Sequence, residues 1–158
     1  MSRSDLEPQR TKGAGLPAFD RSLLILAGRP HSAAELSRKL RQRGHEDKEV
    51  EAAVRRLREL GYLDDRAFAE SLVGWRSRTR GRRAMASELA ARGVAREVAA
   101  EVLAAVDPDA EVEAARKLAE QDRDNPARAA SRLRRRGFSE STIRTALRGF
   151  DLEFGSAG

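Results

Sequence analysis

The sequence predicts an all-α fold of three tandem three-helix repeats, and two observations carry that prediction. First, one turn is written three times: Leu40-Arg-Gln-Arg-Gly44-His45, Leu89-Ala-Ala-Arg-Gly93-Val94 and Leu133-Arg-Arg-Arg-Gly137-Phe138. In each copy the glycine suits the left-handed position that ends a helix. An arginine (Arg43, Arg92 or Arg136) stands against the helix C-terminus, and a leucine sits where a Schellman cap places its hydrophobic contact. Second, the positions six, nine, ten and thirteen beyond each glycine are apolar in all three copies: Val50/Ala53/Val54/Leu57, Ala99/Val102/Leu103/Val106 and Ile143/Ala146/Leu147/Phe150. That spacing is one face of a helix. Three gapless copies of turn plus helix are the mark of a repeat architecture.

Taken in order, residues 1 to 16 mix Ser, Pro, Gly and charge without periodicity and predict a disordered tail. Pro17 to Ala27 reads as a short helix ended by Gly28 and Pro30. Ser32-Ala-Ala-Glu35 is a capping box, opening a helix with Ala33, Leu36 and Leu40 on one face. The helix carrying Val50 to Leu57 ends at Gly61, where Tyr62 can touch Leu57. Leu63 and Phe68 then bracket Asp64 as the N-cap of the next helix. That helix is expected to run from Asp65 to about Arg78 with Phe68, Leu72 and Trp75 inward. Gly81 separates it from the helix of the second turn. Asp107-Pro108 and Asn125-Pro126 each pair an N-cap with proline at the first helical position; the first opens a helix to about Gln121, and Ser139 caps the last helix. The repeats are therefore placed at 17–61, 64–106 and 107–151, with a C-terminal tail at 152–158.

Few chemical motifs survive scrutiny. The chain has no Cys, which excludes disulfides and thiolate zinc sites. His31 and His45 stand at helix-boundary turns without metal-ligand spacing, and Asp64 and Asp65 point about 100° apart on a helix, so no metal or other cofactor is expected. Asp107 to Glu113 resembles a calcium loop only superficially, since it lacks the central glycine; its acids suit a helix N-terminus. Nothing in the chain assembles a catalytic constellation. Met1 to Leu16 is unlike a signal peptide, and the longest aliphatic run, Leu23 to Ala27, falls far short of a membrane span. A cytoplasmic protein without a membrane partner is the expectation.

Charge is the more informative signal. Of 158 residues 35% are charged, with a net charge of +6, which points to a polyanion or an acidic protein surface as partner; an Arg-rich soluble helical protein is the plainer alternative. The charges are sorted along the chain. Nine acids between Glu97 and Asp124 face only Arg116, Lys117 and Arg123, whereas seven arginines between Asn125 and Arg148 face only Glu140. A further cluster, Arg76, Arg78, Arg80, Arg82 and Arg83, surrounds the joint expected between the first and second repeat units. Blocks this one-sided favour binding, and Arg132, Arg134, Arg135 and Arg136 of the C-terminal block join Arg76, Arg78, Arg80, Arg82 and Arg83 as candidate contacts to partner or DNA. A helix, a Gly turn and a second helix also suggest a helix-turn-helix DNA reader. The helices after the turns carry few side chains suited to base edges, so phosphate contact is favoured over sequence readout.

Leu60-Gly-Tyr-Leu-Asp-Asp-Arg-Ala-Phe-Ala, followed by the basic run Arg76 to Arg83 and by Ser87-Glu-Leu-Ala-Ala-Arg-Gly-Val94, resembles the RecX family of recombinase regulators. The resemblance covers about residues 18 to 150. It implies an elongated, curved array of three three-helix repeats, in the bacterial cytoplasm, that binds the RecA recombinase filament on single-stranded DNA. It also implies inhibition of ATP hydrolysis, strand exchange and filament extension, without enzymatic activity, and weak direct DNA binding at most; a monomer is expected. Gly44, Gly61, Tyr62, Asp64, Gly93 and Gly137 would be structural turn residues. Met85 stands where the family usually has a branched aliphatic residue, and Ala95 replaces a capping serine.

Overall fold

The computed structural model describes residues 15–150; the expected tails, 1–16 and 152–158, fall outside them except for Gly15 and Leu16. The described residues form nine α-helices and no strand: α1 (Ala18–Gly28), α2 (Ala33–Gln42), α3 (Asp47–Glu59), α4 (Asp65–Arg76), α5 (Arg82–Ala91), α6 (Arg96–Ala104), α7 (Pro108–Ala119), α8 (Pro126–Arg135) and α9 (Glu140–Ala146). A single 3-10 turn, Glu120–Asp122, follows α7. The chain is an all-helical repeat array. It divides between Asp64 and Asp65 into two compact units.

In the first unit α1, α2 and α3 enclose Leu36, Leu40, Val50, Val54, Leu57 and Leu63. Ser32 accepts the Glu35 amide at 3.2 Å while Glu35 accepts the Ser32 amide at 3.2 Å, so the capping box forms and α2 starts where its sequence says. His31 is buried beside it: Nδ1 lies 2.8 Å from the Arg29 carbonyl and Nε2 2.7 Å from Lys39 Nζ. Nδ1 therefore carries the proton and Nε2 accepts from the ammonium. His45 is also buried, 3.6 Å from Glu49.

The second unit contains two further cores. Phe68, Val73, Met85, Leu89, Val94, Val102 and Leu103 fill the space among α4, α5 and α6. Ala115, Ala119, Ala129, Leu133, Phe138, Ile143, Ala146 and Phe150 do so for α7, α8 and α9. Of the twelve repeated apolar positions, ten are buried, while Val106 and Leu147 pack half-buried at the rim.

All the expected turns have Schellman geometry. His45, Tyr62, Val94 and Phe138 donate to the Leu40, Leu57, Leu89 and Leu133 carbonyls at 3.2, 2.9, 3.0 and 3.1 Å, closing helices that would otherwise end in bare carbonyls. Ser139, Asp107 and Asn125 cap their helices as expected, while Ala95 offers α6 no side-chain cap. Two expectations need correction. Trp75 is not inward but 69% exposed. The inward face of α4 is Phe68, Ala69, Leu72 and Val73, and Trp75 lies about a quarter-turn from its centre at 100° per residue. Helix α7 stops at Ala119, and its last turn tightens into the 3-10 segment.

Candidate interface for a protein partner and nucleic acid

Two glycines bring the two basic clusters together within the second unit. The Gly81 amide donates to the Arg136 carbonyl at 2.9 Å, and the Arg83 amide to the Gly137 carbonyl at 3.2 Å. Such contacts need backbones in touch: a Cβ on Gly81 would sit 2.4 Å from the Gly137 oxygen, well inside van der Waals contact. Because Arg80 precedes Gly81 and Arg136 precedes Gly137, this approach puts both on one surface. Arg80, Arg132, Arg135 and Arg136 line a single open concavity of about 400 Å³.

The arginines of this basin are held differently. Arg132 is clamped by Asp122 at 2.8 Å and donates to Gln121 at 2.5 Å. Arg136 donates to the Thr79 carbonyl at 3.3 Å. Arg80 and Arg135 are exposed and have no ion pair among the described residues. Asp122 neutralises at most part of the basin, and four guanidinium groups around one concavity concentrate positive potential where an anion can enter. Two groups are held by partners and two are exposed without an ion pair among the described residues, so the basin combines a preset geometry with side chains free to meet a ligand.

The other candidates separate from the basin. Arg134 donates to Glu140 at 2.5 and 3.2 Å. That hydrogen bond is the first cause holding the Glu140 carboxyl below its usual range and raising the Arg134 guanidinium above its own. Arg76 stacks on Trp75, 4.4 Å from the ring centroid, and donates to Glu88 at 3.0 Å. Arg82 has a structural setting: it pairs with buried Glu111 at 3.0 Å and donates to the Val106 carbonyl, at the end of α6, at 2.7 Å. Arg78 and Arg83 are exposed without an ion pair among the described residues. The turn residues Gly44, Gly61, Tyr62 and Asp64 belong to the first unit; Gly93 and Gly137 belong to the second, and Asp64 directly precedes α4.

Two residues of this region escaped the sequence reading. Glu111 reads as an acid serving its own helix, yet it accepts the Arg82 amide at 3.3 Å and so caps α5, which starts at Gly81 without a capping side chain. Asp122 carries no pattern that announces burial, yet it is almost wholly enclosed and holds Arg128 at 3.1 Å as well as Arg132. A helix start lacking Ser, Thr, Asp or Asn was the available signal for the first. Among the described residues no three His, Cys, Asp or Glu side chains converge as a metal site, and no helix is long and apolar enough to cross a membrane.

Residues 18–57 match the first three-helix domain of RecX, and residues 64–103 match the second. The chain is 43% identical over 126 residues to the regulatory protein RecX of Thermus thermophilus, covering 78% of this chain and 85% of that one. It is 39% identical over 155 residues to the regulatory protein RecX of Mycobacterium sp. (strain JLS), covering 87% and 81%. In fold it is similar to the crystal structure of RecX from Lactobacillus salivarius, with a TM-score of 0.77 at 23% identity over 85% of this chain and 95% of the other. A second crystal structure, of a regulatory protein RecX, gives a TM-score of 0.73 at 25% identity over 82% and 70%.

Proposed function

The chain belongs to the RecX family, and from that premise we propose that it is a non-enzymatic regulator that binds the RecA recombinase filament on single-stranded DNA. In this reading it inhibits the filament's ATPase, strand exchange and extension, and so limits homologous recombination and the SOS response. It acts as a monomer in the bacterial cytoplasm. The observation that supports the reading best is the basin. Arginines more than fifty residues apart in sequence converge on one concavity, as a contact to acidic protein or to phosphates requires.

Arg80 and Arg135 are the residues we assign to direct contact, with Arg78 and Arg83 extending the charged surface. Arg132 and Arg136 shape the basin while contributing charge. Arg76, Arg82 and Arg134 act mainly through the neighbours that already hold them.

The alternative is a direct nucleic-acid-binding protein of helix-turn-helix type, and the two part on partner dependence. A titration of RecA ATPase on single-stranded DNA, run beside a binding titration on the same DNA alone, decides between them. Inhibition at concentrations where naked DNA is barely bound supports the regulator. Inhibition that follows occupancy of naked DNA would replace it with the alternative.

A further inference from the structure

Beside the basin lies an open groove of about 660 Å³, and Arg80 lines both. Met85 is buried at the groove's apolar wall together with Val73, and Val106 and Ala114 continue that wall. Gly74 and Ala110 are small, which leaves the groove wide enough to take a side chain. The groove lining also carries charge: Glu111 pairs with Arg82, Glu113 pairs with Arg116 at 3.3 Å, Asp107 accepts the Asp109 amide at 3.0 Å and keeps its negative charge, and Lys117 adds a cation. Arg78 and Arg80 carry no such partner among the described residues.

We infer that groove and basin together dock an extended acidic peptide segment of a protein partner, an apolar side chain entering the groove and the following carboxylates meeting Arg78, Arg80 and Arg135. The inference rests on the reading of the basin as a binding surface and names the chemistry that fills it. A nucleic-acid strand would satisfy the arginines but not the groove, which has no aromatic side chain on which a base could stack. A peptide supplies both halves: apolar surface for Val73, Met85 and Val106, and charges for the guanidinium groups. The carboxylates give encounter rate and orientation, and the buried side chain gives residence.

The test uses the full chain and fluorescence anisotropy with a labelled peptide, Gly-Ser-Leu-Asp-Asp-Glu-Gly-Ser, its Leu-to-Ala counterpart, and an oligothymidylate of equal charge. The leucine peptide is expected to bind about tenfold or more tighter than either competitor, as burial of one such side chain allows. Ala110→Trp, or the smaller Ala110→Leu, fills the groove from an exposed position and should erase the preference for leucine. Arg80→Ala should weaken both peptides. Tighter binding of the oligothymidylate, or a preference for leucine that survives both Ala110 variants in folded protein, overturns the inference. RecA ATPase is measured in parallel. A parent chain that inhibits but does not distinguish the peptides overturns the docking surface alone, whereas a parent chain that fails to inhibit overturns the functional reading whatever the peptides do.

Discussion

Gly81 and Gly137 face each other across the second unit with no room for a side chain on either. A Cβ on Gly81 would lie 2.4 Å from the Gly137 oxygen, and one on Gly137 would lie 2.4 Å from the Ala84 amide nitrogen. Gly137 is doubly constrained, since its φ of 85° also lies in the left-handed region. Gly137→Val should therefore destabilise by more than about 2 kcal/mol, whereas Ser139→Ala, which removes one N-cap, should cost about 1 kcal/mol. Thermal melts of the two variants check this, and equal or reversed losses would refute the turn's role.

Removing charge from the basin should separate binding from folding. Arg80→Glu with Arg135→Glu leaves melting nearly unchanged, because exposed substitutions usually stay within about 0.5 kcal/mol. It should nevertheless abolish most of the RecA ATPase inhibition. If the lost contacts are to phosphates, the salt dependence of binding falls by about 0.7 per charge on single strands. A folded double variant that inhibits like the parent would remove these two residues from the interface.

Arg82→Ala should behave in the opposite way. It strands the buried Glu111 carboxylate and the Val106 carbonyl, so a loss of about 2–3 kcal/mol is expected, below the full cost of breaking a buried pair because the Arg82 side chain is 37% exposed. Stability measured by denaturant titration should drop while inhibition per folded molecule persists.

His31 makes the first unit sensitive to acid. Burial is the first cause lowering its pKa below the ordinary 6.5, and the charges of Arg29 and Lys39 act in the same direction, while the Arg29 carbonyl and Glu35 oppose them. The unfolded chain therefore takes up the proton before the folded one does. The stabilisation is complete above about pH 6.5 and is lost as pH falls from there toward the lowered value. His31→Gln cannot titrate, so the difference in melting temperature between parent and variant should narrow or change sign between pH 7.5 and pH 5.5. A constant difference would exclude the linkage.

The fold was legible because its rules are local. Schellman glycines, N-caps and 3.6-residue periodicity are all written within ten residues of where they act, and Leu40, Leu89 and Leu133 end up wholly buried as their turns require. The candidate interface was half legible. Charge blocks marked Arg80, Arg132, Arg135 and Arg136, but nothing in one dimension tells a free guanidinium from one claimed by a distant carboxylate. Arg82 and Arg134 looked like their neighbours until Glu111 and Glu140 were placed beside them. Trp75 was misjudged for a related reason: an aromatic at the edge of an apolar arc is inward only if another element covers that edge. As the sole tryptophan, it offers a direct check, since its fluorescence should resemble that of indole in water before as well as after unfolding.

The capping of α5 by other helices has a consequence for motion. The first amides of a helix ordinarily exchange with solvent by fraying, because no preceding turn holds them. Here the amides of Gly81, Arg82 and Arg83 donate to Arg136, Glu111 and Gly137, groups that lie on or just after α7 and α8. They cannot be released without parting α5 from those helices. Deuterium uptake at these three positions should therefore be as slow as in the buried middle of α5, so that a helix end reports the subglobal opening of the whole second unit.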